Sequence, residues 1–211
     1  MANANKPAGL VPVKYLNGVS WNGGFNVYYI DSSDTHAYAI GDPVATSTGK
    51  ASVNGISAVT LATAGATHAI RGVIVTGGGA AGSLASRTYG SGFFDPDNLK
   101  STIIPATKTQ GYYVGVVDDP NVLFACQEYS GSGSTNYTAA DIGKNVNLKA
   151  GTNNGYISQW VLDDTASSAA DATYQLQLMD LFNRTDNAFG NYAQFLVRIN
   201  LHELHAATVG V

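Results

Sequence analysis

Charge, cysteine and helical periodicity are all scarce in this chain. Of its 211 residues only 12% are charged, about half the roughly 25% of an ordinary globular domain. Ser, Thr, Asn, Gln, Gly and small apolar residues must cover the surface instead, which leaves it less protected against association. The 11 Lys and Arg are scattered and the net charge is −4. Without clustered cations to neutralise phosphates, nucleic acid is not expected as a partner. No apolar run approaches the roughly 20 residues of a membrane-spanning helix, so no membrane partner is expected either. Lys6 is followed by no apolar signal region, which points to synthesis and residence in a cytoplasm, or release from it by lysis. The lone cysteine, Cys126, excludes an internal disulfide. On strand alternation it shares a face with Val122 and Phe124, which reads as a small buried apolar residue rather than a reactive thiol.

What is present is two-residue alternation. Near the C-terminus Ala193, Phe195, Val197, Ile199 and Leu201 fall on one face, and Tyr192, Gln194, Arg198, Asn200 and His202, with Leu196 among them, on the other. That is a long half-buried strand. Tyr174, Leu176 and Leu178 alternate with Gln175 and Gln177 just before it, and the turn formers of 183–191 join the two as a hairpin. Further strands are expected at 26–30, 69–75, 112–117, 122–127, 146–149 and 156–162, all rich in Val, Ile, Thr or Tyr. Asp118, Asp119, Pro120 and Asn121 read as the turn of a second hairpin between 112–117 and 122–127. Twenty-four glycines break any long helix. A capping-box pattern at 138–141 runs into Gly143 and predicts a single turn.

The fold class expected is all-β, an antiparallel barrel or sandwich with long Gly/Ser-rich loops. Residues 1–24 carry Pro7, Gly9, Pro12, Gly18, Gly23 and Gly24 among isolated apolar residues and read as an extended N-terminal arm, since such a segment makes a poor central strand. Residues 25–211 then form the β domain. The Ser- and Gly-rich stretch after Tyr129 reads as a flexible loop, or as a linker between two lobes at 25–129 and 137–211.

Each pattern that hints at chemistry fails in its context. Gly77, Gly79 and Gly82 match the spacing of a dinucleotide fingerprint, but the following residues are too short and glycine-broken for the helix that would hold a pyrophosphate. A glycine-rich surface loop is the simpler reading. His202 and His205 are three apart rather than four, and on a strand would face opposite ways, as expected of a frayed C-terminal end rather than a metal site. Asp95, Asp97 and Asn98 leave calcium open but lack a full ligand set. No nucleophile elbow or reactive cysteine context occurs. No catalytic residue, cofactor or metal is expected, and the protein reads as a non-enzyme. Trp21, Trp160 and the tyrosines leave a sugar-binding platform open, although Trp160, in a strand-like run, reads as core and Trp21 as an interface anchor.

Pro7-Ala8-Gly9-Leu10-Val11-Pro12-Val13, Leu16-Asn17-Gly18 and Trp21-Asn22-Gly23 resemble segments of small structural proteins of tailed-bacteriophage virions. Ile40-Gly41-Asp42-Pro43-Val44, residues 118–124, and Val197-Arg198-Ile199-Asn200 with His202 are similar to the same set. The resemblance spans nearly the whole chain and rests on turns and strands. It implies a head decoration (cement) protein bound outside the capsid, with the major capsid protein and further copies of itself, as dimer or trimer, for partners. A neck, tail or fibre component and a carbohydrate-binding module are the alternatives. An extended arm adds contact area to a neighbour, and Leu10, Pro12, Tyr15 and Trp21 are the expected contact residues.

Overall fold

The computed structural model describes residues 3–50, 55–80, 103–153, 155–166 and 168–210. The glycine-rich continuation at 81–82 and the acidic turn at Asp95, Asp97 and Asn98 lie outside the described residues. Twelve strands are present among the described residues: β1 (Val11–Tyr15), β2 (Asn26–Ile30), β3 (Pro43–Thr46), β4 (Val59–Leu61), β5 (Gly72–Ala80), β6 (Tyr112–Val117), β7 (Val122–Gln127), β8 (Asn145–Val146), β9 (Leu148–Lys149), β10 (Val161–Leu162), β11 (Leu176–Leu181) and β12 (Gln194–Ile199). They form two open five-stranded antiparallel sheets, ordered β1-β7-β12-β11-β8 and β2-β6-β5-β3-β4, with a two-stranded ribbon of β9 and β10. The fold is all-β in the manner of a sandwich, and neither sheet closes into a barrel.

The β11–β12 hairpin forms with Leu176 opposite Ile199 and Leu178 opposite Val197. The second expected hairpin does not. β6 pairs with β2 and β5, whereas β7 pairs with β1 and β12, so residues 118–121 carry the chain from one sheet to the other. The cause is burial. β7 is buried along its whole length, and β6 from Tyr113 to Val117. A strand apolar on both faces takes a central position with cover above and below, and each of the two is central here, in a different sheet. The turn is held by Asp119, whose carboxylate accepts from Asn121 N at 2.8 Å.

Asp118 fastens the departing end of β6 to its sheet. It accepts from Asn26 Nδ2 at 2.7 Å and from the Tyr28 hydroxyl, both on β2, and lies 3.7 Å from Arg71. Arg71 also donates to the Tyr28 oxygen at 2.9 Å. Across the sandwich, fully buried Gln175 accepts from Gly65 N and Leu148 N and donates to the Thr63 and His68 carbonyls. His202 is buried, not frayed: its neighbour Leu201 accepts from Ile70 N at 2.9 Å, and its Nδ1 accepts from Leu204 N at 3.0 Å.

The main core lies between the sheets. Phe124, Cys126, Phe195, Val197, Leu176 and Leu178 of one sheet meet Val73 and Val117 of the other, with Trp160, Leu148 and Leu162 of the ribbon region. Burial pushes the Cys126 thiol up to about 12, so it is an apolar filler. A second core covers the outer face of the other sheet, where Tyr38 and Ile104 pack on Ile30, Val44, Ile74, Val114 and Val116. Gly77 to Ala80 belong to β5, opposite Val114 to Tyr112, and are strand rather than surface loop. A Cβ on Gly77 would stand 2.9 Å from Val114 Cγ1, so β5 crosses β6 where only glycine fits. The two-lobe division is not followed, because β7 of the first half is hydrogen-bonded to β12 of the second. The loop expected as a linker is bound back to the body through Asp164.

Asp42, just before β3, is fully buried, accepting from Ala39 N at 2.8 Å and Asn153 Nδ2 at 2.6 Å. Burial raises its carboxyl to about 6. A folded pKa above the unfolded value means that the folded chain holds the proton more tightly. The associated stability, about 3 kcal/mol for a shift of this size, is complete below pH 3.8 and lost as pH rises through 6. Urea unfolding of wild type and Asp42→Asn across pH 4–8 is expected to show a shallower pH slope in the variant; equal slopes would place Asp42's charge elsewhere.

Candidate interaction surface

The N-terminal segment expected as an arm lies along the body. Asn3 donates to the Ala188 carbonyl at 2.8 Å and accepts from Ala188 N at 3.0 Å. Lys6 N donates to Gln127 Oε1 at 2.8 Å, and Gln127 Nε2 donates to Asn5 at 3.0 Å. Leu10 N donates to Gly41 O at 3.0 Å. Gly9 and Gly41 make this crossing close. Their φ angles are +65° and +95°, and a Cβ on Gly9 would stand 2.3 Å from Gly41 O. No side chain fits such a left-handed, backbone-to-backbone contact.

β1 then adds to the edge of the first sheet, with Val11 opposite Ala125 and Tyr15 opposite Val122. The chain turns at Gly18 and returns beside it: Tyr15 N donates to Val19 O at 2.7 Å and Trp21 N to Val13 O at 3.0 Å. Proline is tolerated at this edge, where a missing N–H breaks no ladder in the sheet interior. The returning residues cover the outer side of β1, which blunts an edge that would otherwise invite another strand.

The four expected contact residues therefore sit on one hairpin but point to different tasks. Leu10 is 0% exposed and belongs to the main core. Tyr15 and Trp21 are half-buried against that core; the Tyr15 hydroxyl donates to Asn22 and the Trp21 indole to the Gly24 carbonyl at 3.2 Å. Pro12 is half-buried opposite Phe124. The apolar side chains turned outward are Val11, Leu16 and Val19, at 42%, 45% and 59% exposure, and sequence reasoning passed them over. A turn-flanking position, with polar Asn17 and Gly18 between Leu16 and Val19, was the available signal.

A cleft of about 330 Å³ opens where the N-terminal segment crosses the first sheet, lined among others by Lys6, Gln127, Arg184, Asp186, Tyr192 and Gln194. Arg184 is paired in bidentate fashion with Asp186 at 2.8 and 3.0 Å and reaches Gln194 at 3.3 Å. Tyr192, on the cleft wall, donates its N–H to Ser130 Oγ, which in turn meets the buried carboxyl of Glu128. This carboxyl is 0% exposed, and burial, with the nearby Asp164 charge adding to it, pushes it up to about 7. Trp160, open to a sugar-binding role on sequence grounds, is 1% exposed and offers no stacking face.

Compared with known protein families, curated proteins and solved structures, the chain matches none.

Replacing Leu10 by Ala is expected to cost 2–5 kcal/mol, as for a buried leucine, while Val19→Ser stays within about 0.5 kcal/mol because its site is exposed. Chemical denaturation of both variants checks this. Equal, small effects would mean that the N-terminal segment swings free of the body.

Proposed function

We propose that this chain is a structural virion protein of the head decoration type, which binds the outside of a tailed-phage capsid and cements neighbouring major capsid subunits. The reading makes it a non-enzymatic component, assembled in the host cytoplasm and resident in the virion. The observation that carries it is the N-terminal hairpin. Leu10, Tyr15 and Trp21 fasten the hairpin to the body while Val11, Leu16 and Val19 face outward. A fastened hairpin loses little conformational freedom when it docks, which favours a rigid bridge. The charge-poor surface and the resemblance of residues 7–23 and the later segments to small virion proteins support the same reading.

The hairpin alone is smaller than a stable contact, which buries on the order of 1,600 Å² in total. Attachment to several capsid subunits, or self-association as a dimer or trimer on a symmetry axis, supplies the rest through avidity. Quantitative mass spectrometry of purified particles is expected to give a copy number close to that of the major capsid protein. Leu16→Asp with Val19→Asp should lower it without loss of folding. A count of a few per particle would instead indicate a neck, tail or fibre position.

The cleft favours a second reading as a carbohydrate-binding module, since Tyr192, Gln127, Gln194 and the Arg184–Asp186 pair combine an aromatic ring with planar hydrogen-bonding groups. A glycan-array signal lost in Tyr192→Ala, with particle copy number unchanged, would favour it.

A further inference from the structure

We infer that the loop 128–136, closed by Asp164, is a binding site for a hard divalent cation of calcium's size. Along this loop oxygen-bearing side chains recur at every second position: Glu128, Ser130, Ser132, Ser134 and Asn136. The fold gathers four of them around one point. Ser130 Oγ lies 3.4 Å from Glu128 Oε1 and 3.4 Å from Asn136 Oδ1, and Ser134 Oγ lies 3.1 Å from Asn136 Oδ1. These contacts are hydrogen bonds that draw the four side chains together, and they leave the oxygens about as far apart, roughly 3–3.5 Å, as ligands held 2.3–2.6 Å from a six- to eight-coordinate calcium.

Asp164 supplies the second carboxylate from the far side. Its Oδ2 accepts from Ser130 N at 3.3 Å and from the Ser134 hydroxyl, and its carbonyl accepts from Thr135 N and Oγ1. The residue is 0% exposed, yet its Oδ1 has no hydrogen-bond donor among the described residues. A carboxylate oxygen buried without a donor is costly, and a second buried carboxylate, Glu128, meets the same residue, Ser130, that Asp164 does. A divalent cation between the two would give that oxygen a partner and offset both charges.

The donor set is two carboxylates with hydroxyl and amide oxygens. That composition suits calcium, which takes oxygen ligands in irregular geometry, better than magnesium, which demands a near-ideal octahedron, or zinc, which prefers nitrogen and sulfur. With only two charges the affinity falls on the order of 0.1–1 mM, the range of extracellular calcium modules. Bound there, the cation would fasten the loop 128–136 to Asp164 beside Tyr192 of the cleft wall. The inference is independent of the capsid reading.

The full-length chain, treated with chelator, is titrated with calcium chloride and with magnesium chloride. Tm is followed together with terbium luminescence sensitised by Tyr129 and Tyr137, which flank the loop. Calcium at about ten times its Kd is expected to raise Tm by about 3–6 °C and to displace terbium, with magnesium far weaker. Asp164→Asn and Asn136→Ala are each expected to lose the shift and the luminescence; Asn136→Ala reads the site where Asp164→Asn lowers the folding yield. No Tm shift and no terbium signal, equal displacement by magnesium, or luminescence retained in Asn136→Ala would each overturn the assignment.

Discussion

Two consecutive strands that are apolar on both faces, separated by four residues, impose the architecture. β6 and β7 each have a partner strand on either side, but in different sheets, and the connection 118–121 passes between those sheets instead of closing a hairpin. The chain therefore crosses between layers at Asp118, and the two sheets are brought face to face over Val73, Val117, Phe124 and Phe195. Buried polar side chains hold the layers in place. Asp118 binds the end of β6 to β2, and Gln175 ties the 63–68 segment to the opposite sheet through three hydrogen bonds and accepts a fourth from Leu148 N.

The N-terminal segment follows from the same constraint. With β7 central, the position beside it needs an edge strand, and β1 fills it. A segment dense in glycine and proline is poorly suited to a sheet interior but well suited to an edge that must also pass close to another backbone at Gly9 and Gly41. The outward side chains of the hairpin are then held on a firm support, which is the property a bridging protein uses.

The polar groups around Ser130 show a different balance. Left-handed backbone occurs at Ser130, Asn136 and Tyr192, three of the four non-glycine residues with positive φ among those described. Such conformations cost of order 1–3 kcal/mol each and persist where the surroundings over-determine them. Here the surroundings are Glu128 and Asp164, whose carboxylates accept from Tyr137 N and Ser130 N.

Strand positions with clear alternation or β-branched runs were legible in the sequence: 26–30, 112–117, 122–127 and the hairpin of β11 and β12 all depend on local side-chain pattern. So did the single turn at 139–141, with its capping box, and the burial of Cys126 and Trp160. Which strands pair was not legible, because pairing depends on contacts between residues far apart in the chain. The turn at 118–121 looks the same locally whether it closes a hairpin or bridges two sheets. The run 146–149 looks like one strand, yet Asn147 splits it between β8 and β9, which pair in different sheets. The oxygen-rich stretch after Tyr129 reads as a linker by composition, and only Asp164, some thirty residues away, turns it into a built site. Sequence alone determined an all-β, charge-poor chain, since those properties are local. The tertiary structure decided that the N-terminal segment is an edge of the body, that the expected linker is a closed loop, and which apolar side chains are left exposed.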